Sequence, residues 1–183
     1  MGWMDDETGL DKTPANFVPL TPLSHLQRAV KVFPTSTAVV YNKHRVNYAE
    51  YHARCSQLAS ALVSVGIKPG SVVATILPNV PAQAEAHFGV PACGAVLNTI
   101  NTRLDVDTVS YIFDHGEAKV VLVDSQFLPL AESACAQMGE KAPLIIEVPD
   151  SSAGFESSGK YRSYEQFLSS GDKKFKWLMP QDE

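Results

Sequence analysis

The chain has little cysteine, no gathered positive charge and no long apolar run. Only three cysteines, Cys55, Cys93 and Cys135, occur in 183 residues. That odd number is no disulfide framework, and no Cys and His spacing suits zinc. Each sits in an apolar helical pattern, so they read as buried reduced thiols of an intracellular protein. The formal net charge of −5 excludes ordinary nucleic-acid binding, which needs clustered Lys and Arg against phosphates. Lys173, Lys174 and Lys176 interleave with Phe175 and Trp177, but three lysines in an acidic chain are weak support for base stacking, and the stretch reads as a linker. No segment could cross a bilayer. The opening MGWMDDETGLDK has no apolar core for a signal sequence, Asp6 stands where a myristoylated Gly2 wants Ser or Thr, and the terminal PQDE is no peroxisomal or retention address.

Chemistry-bearing motifs are also scarce. Gly89 and Gly94 have the first spacing of a phosphate-binding loop, but Ala95 stands where its lysine is required, so the glycines read as packing residues. There is no dinucleotide fingerprint and no internal repeat. The five histidines are scattered without ligand spacing. Asp105 and Asp107 could pass for paired carboxylates, but both fall at a helix start, where anions cap amides and meet the dipole. No nucleophile with a base in reach is legible, and no metal site.

What is present is alternation. At 45% hydrophobic and 19% charged residues the composition is globular, and the length suits one generous domain or a piece of a larger protein. Residues 1–21 read as an extended lead-in. A helix is expected from Pro22 to about Phe33, then a short hairpin or two edge segments over 37–47. The pair Asn47 and Glu50 forms a capping-box variant that opens a helix closed by Gly66. Residues 72–77 read as a strand covered on both faces, and 80–95 as a helix kinked at Pro91. Residues 96–100 read as a short buried strand. Asp105 caps a helix over 106–115, with Gly116 suited to a left-handed end, and 119–123 is a further strand. A helix over 125–138, a strand over 144–148, a Ser and Gly rich loop and a short helix over 164–168 complete the pattern. The implied fold is α/β, a doubly wound, largely parallel sheet flanked by helices, with 22–149 as the α/β body and 150–183 as a loop-rich linker.

Ligands of such sheets gather at strand carboxyl ends, which makes Asn101, Thr102 and Arg103, a polar turn after a strand, the candidate site. Loop positions carry function often enough to weigh this evenly against a plain helix lead-in.

Three segments in this order, VNYAEYHARCSQLASAL, ILPNVPAQAEAHFGVPACGAVLNTINTRL and EAKVVLVD, resemble the amino-terminal part of AMP-forming acyl-activating enzymes, in particular plant-type carboxylate–CoA ligases. GAVLNTINTRL resembles a signature of that branch and PANFVPLTPLSHLQRA its usual opening. The resemblance implies a full-length enzyme that converts a carboxylate of open chain length, ATP and coenzyme A to acyl-CoA, AMP and pyrophosphate, with Mg²⁺ accompanying the nucleotide. It implies that Asn101, Thr102 and Arg103 border the coenzyme A channel. The family's Ser, Thr and Gly rich nucleotide loop is expected just past a segment like 175–183, and its catalytic lysine later still. The chain therefore reads as an incomplete amino-terminal subdomain, inactive alone and binding none of these cofactors stably, with apolar sheet faces left for further chain to cover. A non-catalytic interaction module is the alternative. The expected compartment is cytoplasmic or peroxisomal.

Overall fold

In the computed structural model, which describes residues 13, 15, 17–19 and 21–180, local caps set where helices begin. Helix α1 (Pro22–Val32) starts at Thr21, whose hydroxyl accepts from the Leu23 amide at 3.3 Å, with Pro22 at the first helical position. Strands β1 (Thr37–Tyr41) and β2 (His44–Asn47) form an antiparallel hairpin, the first of the two readings of 37–47. Helix α2 (Tyr48–Ser64) opens on a reciprocal capping box. Asn47 Oδ1 accepts from the Glu50 amide at 2.8 Å, and Glu50 Oε2 accepts from the Asn47 amide at 3.0 Å. It closes with Gly66 at φ 91°, where the Ile67 amide donates to Leu62 O at 3.1 Å and the Gly66 amide to Val63 O at 3.0 Å. That pairing satisfies carbonyls the helix would otherwise orphan.

The remaining elements are β3 (Val72–Ile76), α3 (Pro81–Ala92), β4 (Val96–Thr99), α4 (Val106–His115), β5 (Ala118–Asp124), α5 (Leu128–Met138), β6 (Leu144–Val148), β7 (Arg162–Ser163) and α6 (Tyr164–Ser169). The five strands β3 to β7 make one parallel sheet in the order β4-β3-β5-β6-β7. Alternation along β5 sorts its side chains between two cores. Val120 and Leu122 pack with Leu58, Val90 and Phe167 under α2, α3 and α6. Val121 and Val123 pack with Val109, Phe113 and Ala131 under α4 and α5. Helices therefore lie on both faces, as in a doubly wound sheet. The apolar faces expected to await further chain are covered by this chain's own helices. No helix among the described residues is long and apolar enough to cross a membrane.

Four local expectations are corrected. β4 is no buried strand: it lies at the sheet edge, with Val96 51% exposed. Helix α3 ends at Ala92, one residue past Pro91, because the chain turns at Gly94 with φ 76°. Gly116 is not left-handed; its φ is −82°, and Glu117 takes the positive φ of 49°. Gly116 answers a close approach instead, since a Cβ there would lie 2.9 Å from Ile112 O. Finally, the pattern-free tail carries Trp177, which is buried, donates from Nε1 to Ser56 Oγ at 2.8 Å and stacks on His52 at 4.5 Å. The Leu178 amide also donates to Ala92 O at 2.8 Å. Much of the lead-in over 1–21, including Gly2, and the last three residues lie outside the described residues.

This closing segment passes so near α2 that a Cβ at Gly171 would lie 2.0 Å from Gln57 O. Gly171→Ala should lift the segment from α2, cost about 1–3 kcal/mol and shift Trp177 emission to the red. Urea titration and fluorescence in a Trp3→Phe background will measure both.

Candidate functional site

Strand order locates the crevice. From β3 the chain passes through α3 to β4 on one side, and from β5 through α5 to β6 on the other. The order therefore reverses between β3 and β5, and doubly wound sheets bind ligands outside the strand ends at such a point. Two cavities open along this edge, and Val80 and Pro81, just past β3, line both.

The first cavity, about 580 Å³, is walled by Val39 and Val40 of β1, Tyr51 of α2 and Ala84 and Phe88 of α3. The Tyr51 hydroxyl donates to Ala84 O at 2.6 Å, and the Tyr51 and Phe88 rings meet edge to face at 5.8 Å. The second cavity, about 390 Å³, is bounded by Tyr41, Arg54, Glu85, Asp150 and Tyr164.

A charged cluster forms one wall of the second cavity. Glu85 is 1% exposed on α3. Arg54 of α2 donates from Nε to Glu85 Oε1 at 2.5 Å, and Tyr164 of α6 donates to Glu85 Oε2 at 2.8 Å. Arg54 also forms a fork with Glu165, at 3.1 and 2.6 Å. Burial pushes the Glu85 carboxyl above its ordinary value, while Arg54 and Tyr164 pull against it. Burial works against the Arg54 charge too, but the bonds to Glu165 and Glu85 outweigh it and raise its pKa. Removing one partner of such a buried pair typically costs about 3–5 kcal/mol.

Three more carboxylates stand at the strand ends. Glu147 of β6 is buried and caged: Ser125 donates to it at 2.8 Å, the Ser158 amide at 2.7 Å, and the Ser157 and Ser158 hydroxyls at 3.1 and 2.9 Å. Burial alone would raise its pKa, yet these donors hold it below the ordinary value. Asp150 accepts from the Tyr41 hydroxyl, and Ser152 accepts from Asn42 Nδ2 at 3.0 Å, which pins the β1–β2 hairpin against the loop after β6. Asp124, 1% exposed at the end of β5, accepts from the Gln126 amide at 2.9 Å. Burial raises its pKa, with Asp150 adding to the effect.

The residues expected from the sequence sit one strand away from the switch point. Asn101, Thr102 and Arg103 follow the edge strand β4, and neither cavity is lined by them. Asn101 Oδ1 accepts from the Arg103 amide at 3.0 Å, a local turn that leads to Asp105, which caps α4 by accepting from the Thr108 amide at 2.8 Å. Asp107 accepts from Gln137 Nε2 at 2.8 Å. Arg103 is exposed and has no ion-pair partner among the described residues. Reasoning from the sequence missed Arg54, Glu85, Asp124, Glu147 and Tyr164. The available signal was an acid inside otherwise apolar runs, in AQAEAHFGV, KVVLVD and LIIEV.

Geometry of this kind defines a doubly wound α/β domain with a ligand crevice at its strand-order reversal. The chain belongs to the AMP-binding enzyme family, whose pattern matches residues 26–176. It is 43% identical to a peroxisomal acetate/butyrate–CoA ligase of Arabidopsis thaliana over 99% of this chain and 34% of that protein. It is 41% identical to an acetate–CoA ligase of Humulus lupulus, over 97% of this chain and 33% of the relative. A peroxisomal trans-cinnamate:CoA ligase of Petunia hybrida is 47% identical over 68% of this chain and 22% of its own. The chain spans about a third of the length of the first two relatives. Among solved structures, an anthranilate CoA ligase in complex with anthranoyl-AMP is similar with a TM-score of 0.77 at 20% identity, over 92% of this chain and 32% of that one. A benzoate CoA ligase from Burkholderia xenovorans gives 0.73 at 19%, over 85% and 29%. At these identities the likeness speaks for the fold.

Among the described residues no group of three or more His, Cys, Asp or Glu could hold a metal ion. Phosphates would also meet Asp124, Glu147 and Asp150 along this edge, and an Arg54 already neutralised by two carboxylates.

Because the folded pKa of Asp124 is raised, the folded state binds its proton more tightly than the unfolded chain does. Stability therefore falls as pH rises from the unfolded value, about 3.9, through the folded one. Glu147 and Asp150, with lowered values, act oppositely, losing stability as pH falls. Asp124→Asn keeps an acceptor for the Gln126 amide and removes the first effect alone. Relative to wild type, the variant should be more stable at pH 7 than at pH 3, read from urea midpoints at both.

Proposed function

We propose that this chain is the amino-terminal part of an AMP-forming carboxylate–CoA ligase acting on a small carboxylic acid. The complete enzyme joins the acid to AMP with release of pyrophosphate, and coenzyme A then takes the acyl group as a thioester. The observation that carries this reading is the 43% identity to an acetate/butyrate–CoA ligase, sustained over 99% of the chain. Residues 22–149 would be the body of the subdomain and 150–183 the lead toward the nucleotide loop. ATP, Mg²⁺ and coenzyme A would be held by the complete protein. Several relatives named as peroxisomal favour a peroxisomal compartment, with the cytoplasm as the other option.

Asn101, Thr102 and Arg103 would border the coenzyme A channel. Their support is the position after a strand end and the exposed Arg103 cation, without an ion-pair partner among the described residues and suited to a phosphate-bearing ligand.

The test is a chimera in which this chain replaces the aligned third of the Arabidopsis acetate/butyrate–CoA ligase. It should form acetyl- or butyryl-CoA, whereas the 183-residue chain alone should give no ATP–pyrophosphate exchange above a heat-killed control. A folded but inactive chimera would overturn the reading. Arg103→Ala in the chimera should raise the KM for coenzyme A about tenfold, the worth of one charge-assisted hydrogen bond, with pyrophosphate exchange unchanged.

A further inference from the structure

Three elements converge on a cleft beside Arg54, on the side of α2 that carries the closing segment. It has a volume of about 350 Å³ and is walled by Arg45 of β2, by Glu50, Ala53 and Arg54 of α2, and by Lys173. Burial sorts the residues of this lysine-rich stretch. Trp177 is buried and Phe175 half-buried against the core, while Lys173, Lys174 and Lys176 are exposed. Contacts on either side of Lys173 fix its place: before it Gln57 Nε2 donates to Leu168 O at 3.2 Å, and after it the Trp177 indole donates to Ser56 Oγ at 2.8 Å. The charges in the wall do not cancel. Arg54 is already met by Glu85 and Glu165. Glu50, the one acid in the lining, has Oε2 on the Asn47 amide in the capping box. Arg45 and Lys173 have no ion-pair partner among the described residues. Arg45 is nevertheless held: its Nη1 donates to Asn42 O at 2.7 Å and to His44 O at 2.9 Å. That anchorage leaves Nε and Nη2 for another acceptor.

From this arrangement we infer that the cleft between β2, α2 and the closing segment binds a phosphate dianion, free or as a small monoester, with Arg45 and Lys173 as its cations. A guanidinium already fixed through one nitrogen presents the rest of its fork to phosphate oxygens with little further loss of freedom, and the lysine supplies a point charge from the facing wall. Two unpaired cations in one cleft repel each other, and in a chain of net charge −5 only an anion from outside relieves both at once. A dianion meets the two charges, whereas a monocarboxylate can meet one. The volume lies at the small end of the ordinary range for ligand sites, about 300–1,000 Å³, and leaves room for a small ester body. None of Asn101, Thr102 and Arg103 lines this cleft, and the inference does not rest on the ligase reading.

Titration of the 183-residue chain with inorganic phosphate, phenyl phosphate and benzoate tests it by amide NMR. The ionic strength is held at about 0.1 M with NaCl, at a pH above the second phosphate pKa of about 6. Inorganic phosphate and phenyl phosphate should each give saturable 1:1 shifts centred on Arg45, Ala53 and Lys173. A tighter phenyl phosphate would mark an organic phosphate as the natural ligand, and equal affinities the free ion. Benzoate, with one charge on the same ring, should bind at least about tenfold more weakly than phenyl phosphate. Arg45→Gln and Lys173→Gln should each weaken phosphate about tenfold, which is 1.4 kcal/mol. Lys174→Gln removes the same charge from an exposed neighbour outside the lining and should leave the affinity unchanged. Absence of saturable shifts at these amides would overturn the inference. So would a loss in Lys174→Gln equal to that in Lys173→Gln, which would mean general attraction to surface charge, or benzoate bound as tightly as phenyl phosphate.

Discussion

Glu85 is the constraint on which much of this structure depends. A carboxyl with 1% exposure, set among alanines on α3, stays buried only if a cation and a hydrogen-bond donor come to it. Arg54 arrives from 31 residues earlier and Tyr164 from 79 residues later. One carboxyl thus ties α2, α3 and α6 together on a single face of the sheet. The contact also requires α2 and α3 to lie close. Gly89 makes that possible, since a Cβ there would lie 2.8 Å from Leu58 Cδ2. Once α3 is held in this position, its first two turns aim Gln83, Ala84 and Phe88 at one cavity and Ala82 and Glu85 at the other.

Charge divides the carboxyl edge of the sheet into two environments. Around β5 and β6 the acids Asp124, Glu147 and Asp150 are each held by hydrogen bonds from hydroxyls or backbone amides. The serines that hold Glu147 also fasten the polar loop before β7 to the body. Toward β1 and α1 the surface turns apolar and uncharged. The Tyr41 to Asp150 bond joins the two regions, because it brings the hairpin across from one to the other.

Much of the fold was legible because its signals are local. Asn47 with Glu50, Pro22 as a first helical residue and Asp105 before an apolar period each act within one helical turn, and each opens the helix expected. Apolar runs marked β3, β5 and β6 for the same reason. The failures share a different cause. Val96 to Thr99 has the composition of a buried strand, yet whether a strand is central or at an edge depends on its neighbours. Gly116 looks like a left-handed cap, but its lack of a Cβ serves a close approach to Ile112 O. Trp177 sits in a tail without periodicity and is buried by α2, more than a hundred residues away in sequence.

The candidate site divides along the same line. Residues Asn101, Thr102 and Arg103 were found because a polar turn after an apolar run is a sequence signal, and family kinship was legible from contiguous motifs. The reversal of strand order between β3 and β5 carried no such signal, since it depends on which strands pair across the sheet. By itself the sequence determined the caps, the element types and the family, all properties of neighbouring residues and short-range hydrogen bonds. Only the tertiary structure decided that Glu85 meets Arg54 and Tyr164 and that Asp124 loses its water. Burial is a property of the assembled layers, and a residue's solvation is set by groups that the chain brings near only when it folds.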